Sequence, residues 1–219
     1  MEQRLTILLI SPTTQFIRAL RSSSALFVAS VALLLSACTT LPEAPNQPVD
    51  WVSHQKQLES LQEYALTGKM AYISESKRQS LSFYWKKTHN SEELRLTTLL
   101  GQTALLLNID ENGATVVTHE GDTYQHVSGN ILIKRLTGLS IPIDQLSEWI
   151  KGLPIDADYY QLNEENTLSD LTKQIDGQAW ELNFNKYTQQ NEFVLPSSLT
   201  LVQDKTKLKI AVSKWIVSQ

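Results

Sequence analysis

Apolar and polar residues alternate along most of this chain, and that period of two is the strongest constraint on its fold. Alternation puts one set of side chains on each face of an extended strand. Tyr64, Leu66, Gly68, Met70 and Tyr72 share one face of a first run. Leu81, Phe83 and Trp85 share the face of a second, Leu94 and Leu96 of a third, and Leu105, Leu107 and Ile109 of a fourth. Asn112-Gly113 is a strong turn signal, followed by Thr115 to Thr118 and then Glu120-Gly121-Asp122. Later runs are Leu168 to Ile175, Trp180-Leu182-Phe184, Leu199-Leu201 and Leu208-Ile210-Val212, with Asp176-Gly177 turning the chain between the first two. In the first of these later runs Leu168, Asp170 and Thr172 are expected to face opposite to Leu171, Lys173 and Ile175. Such a chain predicts nine to eleven short antiparallel strands, each apolar on one face, in a strongly curved sheet or barrel.

Helical spacing appears in three places. Asp50 is placed to cap a leading helix carrying Trp51, His54, Leu58 and Leu61. Mid-chain, Ile131, Leu132, Arg135, Leu136 and Leu139 step by helical intervals and close near Gly138. Asp144 is expected to cap a further helix with Leu146, Trp149 and Ile150, ended by Gly152 and Pro154. Two helices inserted into an all-strand pattern are a plug or lid for the concave side. Incomplete filling leaves an apolar cavity.

The N-terminal segment has another character. Arg4, Arg18 and Arg21 precede an apolar run from Ala25 to Leu35, too short to span a bilayer core of roughly 30 Å. It has the length and flanks of a signal peptide. It ends in Leu35-Ser36-Ala37-Cys38, the pattern of a bacterial lipobox, and Cys38 is the sole cysteine. The sequence therefore predicts a signal peptide over 1–37 and an S-diacylglycerol, N-palmitoyl anchor on Cys38. A Pro-rich tether follows over 38–49, of which Thr39 to Pro48 reaches about 30 Å at roughly 3.1 Å per residue. One domain occupies 50–219. Thr39, not Asp, at the second mature position favours the outer membrane.

Removing Arg4, Arg18, Arg21 and Glu2 from 19 basic and 23 acidic residues leaves 16 and 22, a net of −6. That balance offers no overall surplus to draw the chain to nucleic acid or anionic headgroups. With Cys38 acylated, disulfides and thiolate metal sites are excluded. His54, His89, His119 and His126 are scattered without carboxylates at ligand spacing, so no metal is expected. Nucleophile elbows, zinc-protease motifs and phosphate loops are absent from the sequence. The expectation is a non-enzymatic protein without cofactor. The five tryptophans fall on apolar faces and belong to the core. Lys205, Lys207 and Lys209 are expected on one exposed or edge-protecting strand face.

One loop departs from turn chemistry. Thr97 to Thr103 joins two strands, and Gly101 marks the turn, yet Leu99 and Leu100 occupy the tip where polar residues are usual. Either a leucine folds back onto the core, or the tip is exposed and touches lipid.

The chain resembles the LolB family of bacterial outer-membrane lipoproteins. The lipobox carries the resemblance first, then Trp51-x-x-His54, Leu66-Thr67-Gly68-Lys69-Met70-Ala71, Phe83-Tyr84-Trp85 and Leu94-Arg95-Leu96 through Leu100-Gly101. Downstream it rests on Leu136-Thr137-Gly138-Leu139-Ser140-Ile141-Pro142-Ile143, Trp149 to Pro154, Leu195-Pro196, Lys207 to Ile210 and Trp215-Ile216-Val217. The resemblance implies a mainly β fold: an unclosed antiparallel barrel of about 11 strands with helices covering an apolar cavity, as in LolA and LolB. It implies a monomer that takes cargo lipoproteins from the periplasmic carrier LolA by their acyl chains. The chain would be anchored in the inner leaflet of the outer membrane, facing the periplasm, and would place the cargo there. An exposed leucine important for insertion maps to Leu100, and Leu99 replaces a residue that is often Pro in the family. A scaffolding lipoprotein and a lipocalin-like carrier of free lipid are the alternatives.

Overall fold

A computed structural model describes residues 47–137, 141–175 and 177–217. The leader, Cys38, the first part of the tether, Gly138, Leu139 and Asp176 lie outside the described residues. Asp50 caps α1 (Trp51–Ser60) as expected, its Oδ1 accepting from the Ser53 N–H at 2.9 Å. Six strands follow: β1 (Tyr64–Ile73), β2 (Arg78–Lys87), β3 (Ser91–Thr97), β4 (Thr103–Asp110), β5 (Gly113–Thr118) and β6 (Thr123–His126). Then come α2 (Gly129–Thr137) and α3 (Ile143–Trp149). Five strands complete the chain: β7 (Tyr159–Leu162), β8 (Leu168–Ile175), β9 (Gln178–Gln190), β10 (Phe193–Gln203) and β11 (Thr206–Val217).

All eleven strands form one antiparallel sheet in the order β6-β5-β4-β3-β2-β1-β11-β10-β9-β8-β7. It consists of two meanders joined at the centre, where Tyr64 lies opposite Val217 and Ile73 opposite Lys207. The edges β6 and β7 do not pair with each other. The chain must pass from one edge to the other, and α2 and α3 lie on that passage. The lid position of the helices is thus a consequence of strand order.

Two of the sheet's register shifts let both residue parities serve one core. In β11 the register skips Ser213 opposite Thr67 and Gly68, so Leu208, Ile210 and Val212 face inward and so does Trp215. A Cβ at position 68 would lie 2.1 Å from the Ala211 carbonyl oxygen, so only glycine fits beside this bulge. In β8 the register skips Ser169, which turns Leu168 onto the side of Leu171, and both are fully buried. This corrects the expectation that they face opposite ways. The core runs continuously from Leu58 and Leu61 across Trp85, Leu107 and Val116 to Trp149, Leu171 and Trp215. Trp85, Trp149, Trp180 and Trp215 are buried, whereas Trp51 is half-buried against Tyr160.

Candidate functional site

The concave side of the sheet, its helical cover and the β3–β4 loop make up the candidate site. Apolar side chains of α2 and α3 point into the concavity: Leu132 and Ile133 from α2, Ile143, Leu146 and Trp149 from α3. A cleft of about 60 Å3 opens between α2 and the β8–β9 end of the sheet. It is lined by Ile131, Lys134, Ile141, Pro142, Ile175 and Trp180. Ile141 and Trp180 belong to the core, so the cleft floor is continuous with it. In that core the Trp85 indole N–H is buried without a partner among the described residues.

Asp144 does not cap its own helix, which is a correction. Pro142 holds the cap position of α3 and makes no side-chain capping bond. Asp144 instead reaches to the start of α2, where its carboxylate accepts from the Ser128 hydroxyl at 3.2 Å. Its own N–H donates to Asn130 Oδ1 at 3.1 Å, so the two helix starts are tied to each other.

A charged seat beneath α3 is invisible in the sequence. Lys151, just past the helix, is 1% exposed. Its Nζ lies 2.9 Å from Glu148 Oε2, donates to the Leu61 carbonyl at 3.0 Å, and sits 5.8 Å from the Tyr64 ring centroid. Glu148 Oε1 pairs with Lys87 Nζ at 2.9 Å, and Lys87 pairs with Glu92 at 2.8 Å. The Tyr64 hydroxyl donates to the Ser147 carbonyl at 2.6 Å. Burial acts to raise the Glu148 carboxyl, but Lys151 and Lys87 outweigh it and hold the group below its ordinary value. Burial acts to lower Lys87, but Glu92 and Glu148 raise it overall. Burial also raises Tyr64 well above the usual phenol range, helped by the charges of Glu92 and Glu148. The network ties α3 to α1, β1, β2 and β3. Its only sequence signal is a lysine inside the otherwise apolar Trp149-Ile150-Lys151-Gly152-Leu153.

The β3–β4 loop answers the question left open by pattern. Leu99 and Leu100 are 79% and 87% exposed, and neither folds back. The loop is closed by the Thr98 N–H to the Gln102 carbonyl at 2.9 Å and the Gly101 N–H to the Thr98 carbonyl at 3.0 Å. Gly101 has a φ of +81°, the left-handed turn position that favours glycine. The leucines therefore sit on a hydrogen-bonded tip.

The histidines are not brought together. His54 is buried in α1, where burial lowers its pKa, and His89 pairs with Glu63 at 2.7 Å on the surface. Among the described residues no group of three His, Cys, Asp or Glu could hold a metal ion. No helix among them is long and apolar enough to cross a membrane. Lys207 and Lys209 face outward on β11, but β11 lies at the centre of the sheet, so edge protection is not their role. Lys205 lies in the β10–β11 turn and pairs with Glu75 at 2.6 Å.

Residues 62–215 match the family model described as outer membrane lipoprotein LolB. The chain is 43% identical over 204 residues to the outer-membrane lipoprotein LolB of Vibrio atlanticus, covering 86% of this chain and 94% of that one. It is 44% identical over 189 residues to the outer-membrane lipoprotein LolB of Vibrio cholerae, covering 84% and 91%. The fold matches a solved Vibrio parahaemolyticus domain described as outer membrane lipoprotein-sorting, with a TM-score of 0.51 at 7% identity over 78% of this chain and 92% of that one. An unclosed eleven-stranded sheet of this type, with the family model matched from the end of α1 into β11, establishes that the chain belongs to the LolB family of outer-membrane lipoproteins.

Proposed function

We propose that this protein accepts lipoproteins from the periplasmic carrier LolA, shelters their acyl chains beneath α2 and α3, and inserts them into the outer membrane. It would be held there by acylation of Cys38. The observation that carries the reading is the exposed Leu99-Leu100 tip on a closed hairpin. Burying two leucines in lipid is worth about 1.5–3 kcal/mol each, enough to engage a bilayer reversibly. Exposing cargo acyl chains to water costs about 0.8 kcal/mol per CH2, so cargo needs apolar cover until insertion. The concave core and its cleft supply apolar surface, and the unpartnered Trp85 N–H offers a donor to an acyl-linkage carbonyl. With no phosphate-loop motif in the sequence, transfer is taken to run downhill by tighter binding at each step.

The test is transfer of a labelled lipoprotein from its carrier to this protein and on into vesicles. Leu100→Glu is expected to leave acceptance intact and to slow insertion at least about tenfold, since a charge replaces roughly 1.5–3 kcal/mol of lipid burial. Leu99→Glu should slow insertion less. Normal insertion by both variants would remove the tip from the mechanism. Failure of the unmodified protein to accept cargo would end the receptor reading, and binding of free fatty acid without competition from cargo would favour a lipocalin-like carrier.

A further inference from the structure

The chain's acidic balance, a net charge of −4, conceals a segregated face. On the convex side of the sheet the register aligns four successive rows across β2, β1 and β11. They are Arg78–Ile73–Lys207, Ser80–Ala71–Lys209, Ser82–Lys69–Ala211 and Tyr84–Thr67–Lys214. Every row carries a cation and none carries an acid. Arg78, Lys69, Lys207, Lys209 and Lys214 are all exposed, and none forms an ion pair among the described residues. The neighbours on β10 are the uncharged Ser198, Thr200 and Val202. Strand and residue spacings make this a column roughly 10 Å wide and 20 Å long.

The sheet gains nothing from such a column. The side chains point away from the core, and like charges packed on neighbouring strands repel. Small residues between them (Ser80, Ala71, Ser82, Ala211) leave the long stems free to reach outward. Position supplies the partner. In the third row Ser82 also pairs with Thr97, the last residue before the Thr98–Gln102 loop. The upper rows therefore lie at the same end of the sheet as Leu99 and Leu100, with Lys69 two strands, about 10 Å, from the strand that carries them.

We propose that this column docks the convex face on anionic phospholipid headgroups and so sets the angle at which the leucine tip meets the bilayer. This rests on reading the tip as membrane-entering and Cys38 as the anchor. Clustered lysines beside an apolar anchor form a two-part membrane contact, each cation adding about five-fold to the docked-to-free ratio and acting within a screening length of about 8 Å.

The experiment uses the lipid-anchored protein in vesicles of phosphatidylcholine alone or with phosphatidylglycerol. A fluorophore on Ser76→Cys, in the β1–β2 turn, is read for quenching by nitroxide-labelled headgroups. Quenching is expected to rise with phosphatidylglycerol and to fall at high salt. Lys69→Gln, Lys207→Gln and Lys209→Gln combined should lower the docked-to-free ratio about a hundred-fold. The lipid and salt dependence of the otherwise unmodified chain needs no charge variant, so the result does not depend on the triple variant folding. Equal quenching on both vesicle types, or no response to salt, overturns the proposal. So does a triple variant that docks normally but accepts cargo slowly, which would assign the cations to an acidic protein partner. A second probe on Leu99→Cys separates the two readings: if it stays unquenched while the Ser76 probe responds, the tip reading fails and headgroup docking stands.

Discussion

α2 and α3 cover the same concavity, but they are held in different ways. α3 is seated by packing and by charge. Leu146, Trp149 and Ile150 are fully buried, and Lys151, Glu148, Lys87 and Glu92 bind its far end to β2 and β3. α2 buries Leu132 and Ile133, leaves Ile131 half-exposed, and flanks the open cleft. Its polar ties to α3 include the Asp144–Ser128 and Asp144–Asn130 bonds at its start. Under the proposed function this difference divides the lid: α3 fixes the frame, and α2 is the part that would yield to an entering acyl chain.

The largest test of that contrast is Trp149→Ala, which should destabilise the domain by about 3–5 kcal/mol in denaturant unfolding. Ala at the cleft-lining Ile131 of α2 should stay within about 0.5 kcal/mol. Equal losses at the two sites would erase the distinction. Next comes Lys151→Ala, which leaves Glu148 with Lys87 alone and frees the Leu61 carbonyl. The expected loss is about 3 kcal/mol. A loss below about 1 kcal/mol would mean that packing alone seats α3.

Acid titration sharpens the comparison further. Glu148 has a folded-state pKa below its ordinary value, so it stabilises the fold above pH 4.5 and loses that contribution as pH falls through the depressed value. Lys87 is raised, so its contribution is full below pH 10.5 and is lost only as pH climbs through the folded value. Glu148→Gln should therefore flatten the acid limb of a melting-temperature profile, whereas Asn130→Ala at α2 should leave its shape unchanged. The smallest effect is local. Amides of α2 should exchange with solvent faster than those of α3 under native conditions, by hydrogen exchange read per helix. Equal protection would indicate that the lid opens as one piece.

Legibility in the sequence followed exposure pattern. Strands with one dry and one wet face, such as β2 and β9, were plain from alternation. The four-residue edges β6 and β7 were not, because almost every residue in them is exposed and no apolar period survives. The bulges at Ser169 and Ser213 were hidden because a parity change looks like noise until the facing strand is known. The leucine tip stood out as wrong chemistry for a turn, although its projection did not. The α3 seat could not be read, since its members come from positions 61 to 151 and meet only through strand order. The cation column was half visible: Lys207 and Lys209 were seen on β11, but Lys69 and Arg78 join them only through pairing with β1 and β2.

The seam between β1 and β11 has a kinetic consequence. The two central strands are the first and last to be made, about as far apart in sequence as two strands of this domain can be. Each meander closes by local hairpins, whereas the seam demands the costliest loop closure and must wait until β11 has emerged. A chain that crosses one membrane before working at another gains from that order. Its sheet cannot be completed, nor its concave core covered, while any part of β11 is still in transit.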